Sequence, residues 1–220
     1  MLNKEIYLKE VAGSLALLSK EVTILNAVNL YDINIVAEDF FPGLLNLIYE
    51  YKLKNVNYLE KNAPAIDLFD KINKIAVQVT SDNTRKKINH TIEEFNKNES
   101  YKIYNRLIIL ILTQKKKYTT EFNTDGKFVF DKMKDIWDVE DLMKDVRELE
   151  TDRIKEISSY LSKELCDKYY AVKETQASEI DTIIALIEYI SGHRKVKKIG
   201  IQKSILSIRY IKDFGNLPIS

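Results

Sequence analysis

The chain has 220 residues, 45% of them hydrophobic and 30% charged, with only six Gly and three Pro; such a composition excludes a disordered or collagen-like chain and disfavours a turn-rich all-β fold. One Cys and two His exclude an internal disulfide framework and a zinc-finger pattern. The chain opens without an apolar leader and its longest apolar run, residues 107–112, is far shorter than a membrane span, so a cytoplasmic protein without a membrane partner is expected.

The net charge of +1 conceals blocks of opposite sign. Residues 81–120 carry nine Lys/Arg against four Asp/Glu, residues 121–181 ten against seventeen, and residues 191–220 seven against one. A basic block suits a phosphate backbone and equally suits a solvated helix face.

Residues 4–30 are expected to form a helix, because Leu8, Val11, Leu15, Leu18, Val22 and Leu25 recur at spacings of three and four. That seam packs either on the core or on a second copy. Residues 32–52 form a second helical stretch, which Pro42-Gly43 is expected to kink or split. A strand pair follows over residues 64–80. Alternation puts Ile75, Val77 and Val79 on an apolar face, with Ala76, Gln78 and Thr80 on the other. On the preceding strand Ile66 and Leu68 share the apolar side and Asp67 faces away. A turn near Ile72 sets Asp67 across from residue 77 or 78.

A helix over residues 84–95, capped by Ser81 or Thr84, leads to an apolar strand at 105–113. Strand, helix, strand implies a parallel crossover, and an all-apolar strand belongs at the centre of a sheet covered on both faces. Residues 118–130 read as a hairpin turning at Asp125-Gly126. Helices are expected at about 138–149, 152–166 and 178–190, followed by a basic tail. The fold class is therefore α/β: a core over residues 1–118 with N-terminal helices, and a mainly helical extension over 119–220 whose tail reads either as a linker or as a natural terminus.

These residues resemble a known pattern. A helix with Glu38, a strand with Asp67, a strand reading Gln78-Val79-Thr80, a basic helix and an apolar strand resemble the PD-(D/E)xK, restriction-endonuclease-like superfamily. More narrowly, AEDFFPGLLNLIYEYKLKNVN, APAIDLFDKINKIAVQVTS and KKINHTIEEF resemble the bacterial SMEK domain, over roughly residues 5–165. The resemblance implies a restriction-endonuclease-like α/β sandwich and a role in anti-phage conflict systems, beside partner or effector modules. It implies that Asp67 is the metal-binding Asp of the first motif strand, that Gln78 stands at the motif's (D/E), that Thr80 stands where its Lys would be, and that Glu38 completes the metal shell. Lys86 or Lys87, one turn into the next helix, could return an amine to the site.

The expected chemistry is phosphodiester hydrolysis with Mg²⁺ or Mn²⁺. Asp67, Gln78 and Glu38 are the candidate ligands, Asp67, Gln78 and Lys86 the candidate catalytic group, and Thr80, Arg85, Lys86 and Lys87 the candidate contacts to nucleic acid, with double-stranded DNA favoured and a homo-oligomer expected. The neutral Gln78 leaves such a site one charge short, and the missing strand lysine predicts an enzyme that is weak or activated on assembly. Two plainer readings stand beside this one. Asp67 caps the turn while Gln78 and Thr80 form a wet strand face, or the nuclease-like core has lost its chemistry and binds nucleic acid or a partner protein. No G-x-x-x-x-G-K-[ST] loop is present, which excludes a P-loop nucleotidase.

Overall fold

The computed structural model describes residues 2–30, 32–58 and 66–165. Two compact units divide the chain, Met1–Cys166 and Asp167–Ser220. The expected helix at 178–190, Cys166, His193 and the basic tail lie outside the described residues. The expected division at 118/119 falls inside the first unit, because elements on both sides of it share one sheet.

The described residues of the first unit form five α-helices and five strands in the order α1 (Asn3–Ala27), α2 (Asp32–Tyr49), β1 (Lys54–Asn55), β2 (Leu68–Asp70), β3 (Ile75–Thr80), α3 (Arg85–Lys97), β4 (Arg106–Ile111), β5 (Ile136–Asp138), α4 (Val139–Glu148) and α5 (Thr151–Glu164). The strands form one sheet in sequence order. β2 runs antiparallel to both β1 and β3, and β3, β4 and β5 run parallel.

The three-and-four spacing in α1 marks core. Val11, Leu15, Leu18 and Val22 are buried against the sheet and its helices. The helix stops by a left-handed residue, Asn29 (φ 62°), with Leu30 N–H returning to the Leu25 carbonyl at 2.9 Å, a helix-ending pattern that satisfies terminal carbonyls.

α2 runs through Pro42 as a single helix, so of the two expected outcomes the split does not occur. An interior proline costs about 3 kcal/mol. Phe41, Leu44 and Leu45 around it are fully buried, and each contributes roughly 1.5–3 kcal/mol, so packing outweighs the lost hydrogen bond. Gly43 is required by that packing, because a Cβ there would overlap the ring and hydroxyl of Tyr160 on α5. The Tyr160 hydroxyl donates to the Phe40 carbonyl at 2.7 Å.

The sheet is covered on both faces, as the apolar β4 predicted. Ile75, Val77, Val79, Ile108 and Leu110 pack under α1, α2, α4 and α5. Ala76, Leu107, Ile109 and Ile111 pack under α3 and residues of the β4–β5 connection. That connection, residues 112–135, corrects the expected hairpin. The turn is there, with Asp125 and Gly126 both left-handed (φ 52° and 69°), but no strand pairing flanks it. Its aromatic residues Phe122, Phe128 and Phe130 instead pack into the core beneath α3. The short strands β1 and β5 carry too few residues to leave a sequence signal. No helix among the described residues is long and apolar enough to cross a membrane.

Candidate active site

The β2–β3 turn fixes the geometry of everything around it. Asp70, not Asp67, holds that turn. Its buried carboxylate accepts the N–H groups of Ile72 (2.8 Å), Asn73 (2.9 Å) and Lys52 (2.6 Å) and the Asn73 side-chain amide (2.7 Å). Burial alone would raise its pKa, but these hydrogen bonds win and hold it below the ordinary carboxylate value. Lys74 closes the turn in the left-handed region, φ 53°.

With the turn held by Asp70, Asp67 is released for other work. The register pairs Leu68 with Val77, and Asp67 N–H donates to the Val77 carbonyl at 3.0 Å. Beyond that point the β2 side of the ladder is continued by a side chain. The Asp67 carboxylate accepts the Val79 N–H at 2.6 Å and a short hydrogen bond from the Gln78 amide. The same Gln78 amide nitrogen donates to the Val79 carbonyl at 3.1 Å. The Asp67 carboxylate and the Val79 carbonyl therefore converge on one point, held there by a buried Gln side chain. Ile66 departs from the expected alternation and joins the α3 side of the core.

Asp67 is half-buried by its exposed surface, yet desolvation dominates and raises its pKa to about 7; the Val79 hydrogen bond and the charge of Lys87 pull it down, and the charge of Glu38 pushes it further up. Glu38 on α2 is raised by burial as well, against the 3.0 Å hydrogen bond it accepts from the Asn57 amide, with Asp39 adding to the rise. Two neighbouring carboxylates that both resist ionisation form a place where a cation would be stabilised.

The rival acids near Glu38 are used elsewhere. Asp39 accepts from the Asn55 amide at 2.8 Å, and Glu50 pairs with Arg153. Among the basic residues, Lys87 is the one whose charge acts on Asp67. Ile88, Thr91, Ile92 and Phe95 form the buried stripe of α3. Lys87 lies at the edge of that stripe, four residues before Thr91, and Lys86, turned by about 100°, is exposed. The sequence offers both lysines for the returned amine and the expectation favours Lys86; the helical period sets Lys87 instead at the edge of the buried stripe.

Arg85 is committed to structure. Its guanidinium donates to the Thr120 carbonyl at 3.0 Å and to the Glu121 carbonyl, and it lies 4.2 Å over the Phe122 ring. Thr80 is buried, and its hydroxyl accepts the Asp82 N–H at 3.1 Å, shaping the turn before α3. Thr84 caps α3, accepting from Lys87 N–H. Asn57 and Asp70, which position Glu38 and free Asp67, carry no pattern that sequence reasoning could use.

Among the described residues no group of three His, Cys, Asp or Glu side chains is set to hold a metal ion. The donors here are different: the Asp67 and Glu38 carboxylates, the Val79 carbonyl and, with the amide turned, the Gln78 side-chain oxygen. All are hard oxygens of the kind Mg²⁺ and Mn²⁺ take. The amide orientation depends on what lies between Asp67 and Val79; its nitrogen bridges two acceptors, and a cation would bridge the same two. The donor set fits a divalent ion in that respect.

A model of the SMEK domain family matches residues 10–147, a span that includes α2, the β2–β3 turn, α3 and all the residues of the candidate site. No curated protein and no solved structure shows significant similarity to the chain.

Proposed function

The chain belongs to the SMEK domain family, and from that premise we propose that it is a metal-dependent nuclease of the restriction-endonuclease-like type, acting on DNA in anti-phage defence. The observation that carries this reading is that Asp67, just before β2, meets the Gln78 amide and the Val79 backbone of β3 while the charges of Glu38 on α2 and Lys87 on α3 act on its carboxyl.

A Mg²⁺ or Mn²⁺ held by Glu38, Asp67, Gln78 and the Val79 carbonyl would supply Lewis acidity to a phosphoryl oxygen and acidify a bound water. The protein's own groups have separable tasks. Asp67 gives up its proton when the site is loaded, and its hydrogen bond from Val79 N–H keeps the carboxylate aimed while it does so. Gln78 contributes an oxygen without a charge, which weakens the site relative to one with three carboxylates. Lys87 stands in for the lysine that the Gln78-Val79-Thr80 strand lacks, placing an ammonium beside the carboxylate to hold a phosphoryl oxygen or orient the attacking water. The exposed Lys86 serves the phosphate backbone at longer range. Assembly into a homo-oligomer or with defence-system partner proteins is part of the proposal, because a site one charge short gains from being completed or switched on.

The test is cleavage of plasmid DNA with Mg²⁺ or Mn²⁺. Asp67→Ala and Lys87→Ala are each expected to lower the rate by at least about 100-fold with the fold retained by circular dichroism, and Lys86→Ala by far less. Mn²⁺ affinity, measured by calorimetry, is expected to rise about tenfold per pH unit up to about pH 7 and then level off, because the ion competes with the Asp67 proton. One observation favours the rival reading of a nuclease-like module that only binds. The Gln78 amide nitrogen already bridges Asp67 and Val79, as it would in a site that never holds metal. Metal-independent DNA binding that Asp67→Ala leaves intact, with no Mn²⁺ heat at any pH, would establish that rival.

A further inference from the structure

The carboxyl ends of the parallel strands frame a second feature. The segments that follow β3 and β4, namely α3 and residues 112–135, cover one face of the sheet, whereas α4, which follows β5, packs on the opposite face with α1. The chain therefore leaves β4 and β5 in opposite directions. In open α/β sheets that divergence opens a crevice outside the carboxyl ends, and ligands sit there. Here the crevice is a cleft of about 830 Å³ between α1, the loops after β3 and β4, and the start of α4, within the size range of small-molecule sites.

Its lining is divided by chemistry. Leu15, Val139 and Met143 give an apolar floor, and Lys20 from α1 and Lys116 from the loop after β4 stand at its walls. Of the three other charged groups in the lining, Asp138 and Lys115 are already satisfied. Asp138 accepts from the N–H groups of Glu140, Asp141 and Lys115, sealing the start of α4 so that this helix end does not recruit an anion. Lys115 Nζ is held by Asp141 at 2.6 Å and by the Ile136 carbonyl at 3.0 Å. Lys20 and Lys116 are both exposed, and no described residue ion-pairs with either. Glu140 adds an acceptor whose contact within the cleft is a long 3.5 Å approach from the Gln114 amide.

We infer that this cleft binds a nucleotide, with the base on the apolar floor, the phosphates between Lys20 and Lys116, and Glu140 accepting from sugar hydroxyls or an exocyclic amine. An apolar floor, one acceptor and two ammonium groups that no described residue ion-pairs match the three parts of that ligand class, and inorganic phosphate would use only the last. The cleft takes residues of the β3 side only from Ser81 onward and includes none of Glu38, Asp67, Gln78 or Lys87, so the inference does not depend on the nuclease reading.

The experiment is calorimetric titration of the full chain with ATP, GTP, inorganic phosphate and a short single-stranded oligonucleotide. A mononucleotide is expected to bind at least tenfold more tightly than inorganic phosphate. Lys20→Glu with Lys116→Glu is expected to weaken it at least tenfold and Asp67→Ala to leave it unchanged. Both lysines are exposed, and circular dichroism of the double variant confirms that it remains folded. The inference is overturned if no mononucleotide binds, if phosphate binds as well as ATP, if the double lysine variant binds normally, or if only the oligonucleotide binds.

Discussion

The two faces of the sheet are covered by different means. On one face four helices, α1, α2, α4 and α5, lay interlocking apolar stripes over Val77, Val79, Ile108 and Leu110. On the other a single helix, α3, shares the work with an irregular strap of 24 residues, 112–135, pinned by side chains bonding to backbone. Tyr118 donates to the Asn83 carbonyl at 2.9 Å, Asn96 to the Thr124 carbonyl at 3.1 Å, Lys132 to the Thr119 carbonyl at 3.0 Å, and Arg85 to two carbonyls at once. A helix satisfies its backbone internally and needs only an apolar face to dock. A strap has to find a partner for each buried polar group, one by one. The candidate active site lies with the second face, where Gln78 and Thr80 interrupt the apolar cover and polar bonding is already the rule.

The contrast can be broken at four points, taken from the largest expected effect. Phe41→Ala on the helical face removes a fully buried ring and should cost about 3–5 kcal/mol, read as a loss of stability in urea unfolding. Gly43→Ala forces a Cβ into Tyr160 and should cost about 1–3 kcal/mol by the same measure.

Asp67→Asn probes the polar side through its pH dependence. With a native pKa of about 7 against an unfolded value of about 3.9, the native state keeps a proton that the unfolded chain has lost. Asp67 therefore makes stability fall as pH rises from about 4 to about 7, with no further loss above. Asp67→Asn should abolish that slope, adding roughly 2 kcal/mol at pH 8 and almost nothing at pH 4, after allowance for its partial exposure. A variant with the wild-type slope would show that Asp67 is not the titrating group.

Arg85→Ala should cost about 1–1.5 kcal/mol globally, with a disproportionate rise in amide exchange over residues 119–123. Uniform exchange across the domain would mean that the strap is not an independently pinned element.

The same division governs what could be read in advance. α1, α3, α4 and α5 were legible because period-3.6 stripes and caps are local, and β3 and β4 because alternation and a fully apolar run are local too. The continuity of α2 through Pro42 was not, because the decisive contacts come from Tyr160 and the buried neighbours. In the candidate site, Asp67, Gln78 and Glu38 were named through the resemblance to the restriction-endonuclease-like pattern. The helical period alone separates Lys87 from Lys86, whereas the release of Asp67 from the turn needed Asp70 to be seen holding it.

By itself, then, the sequence determined the α/β class, the parallel crossover of β3, α3 and β4, and a polar row opposite Val77 and Val79, since all of these follow from periodicity within one segment. Tertiary structure decided that an aromatic strap rather than a hairpin joins β4 to β5, that α2 stays whole, and that a carboxylate from the end of β2 meets an amide and a carbonyl from β3 under the charges of Glu38 and Lys87. Those outcomes rest on desolvation and on hydrogen bonds between distant segments, whose strength depends on what surrounds them and not on the letters beside them.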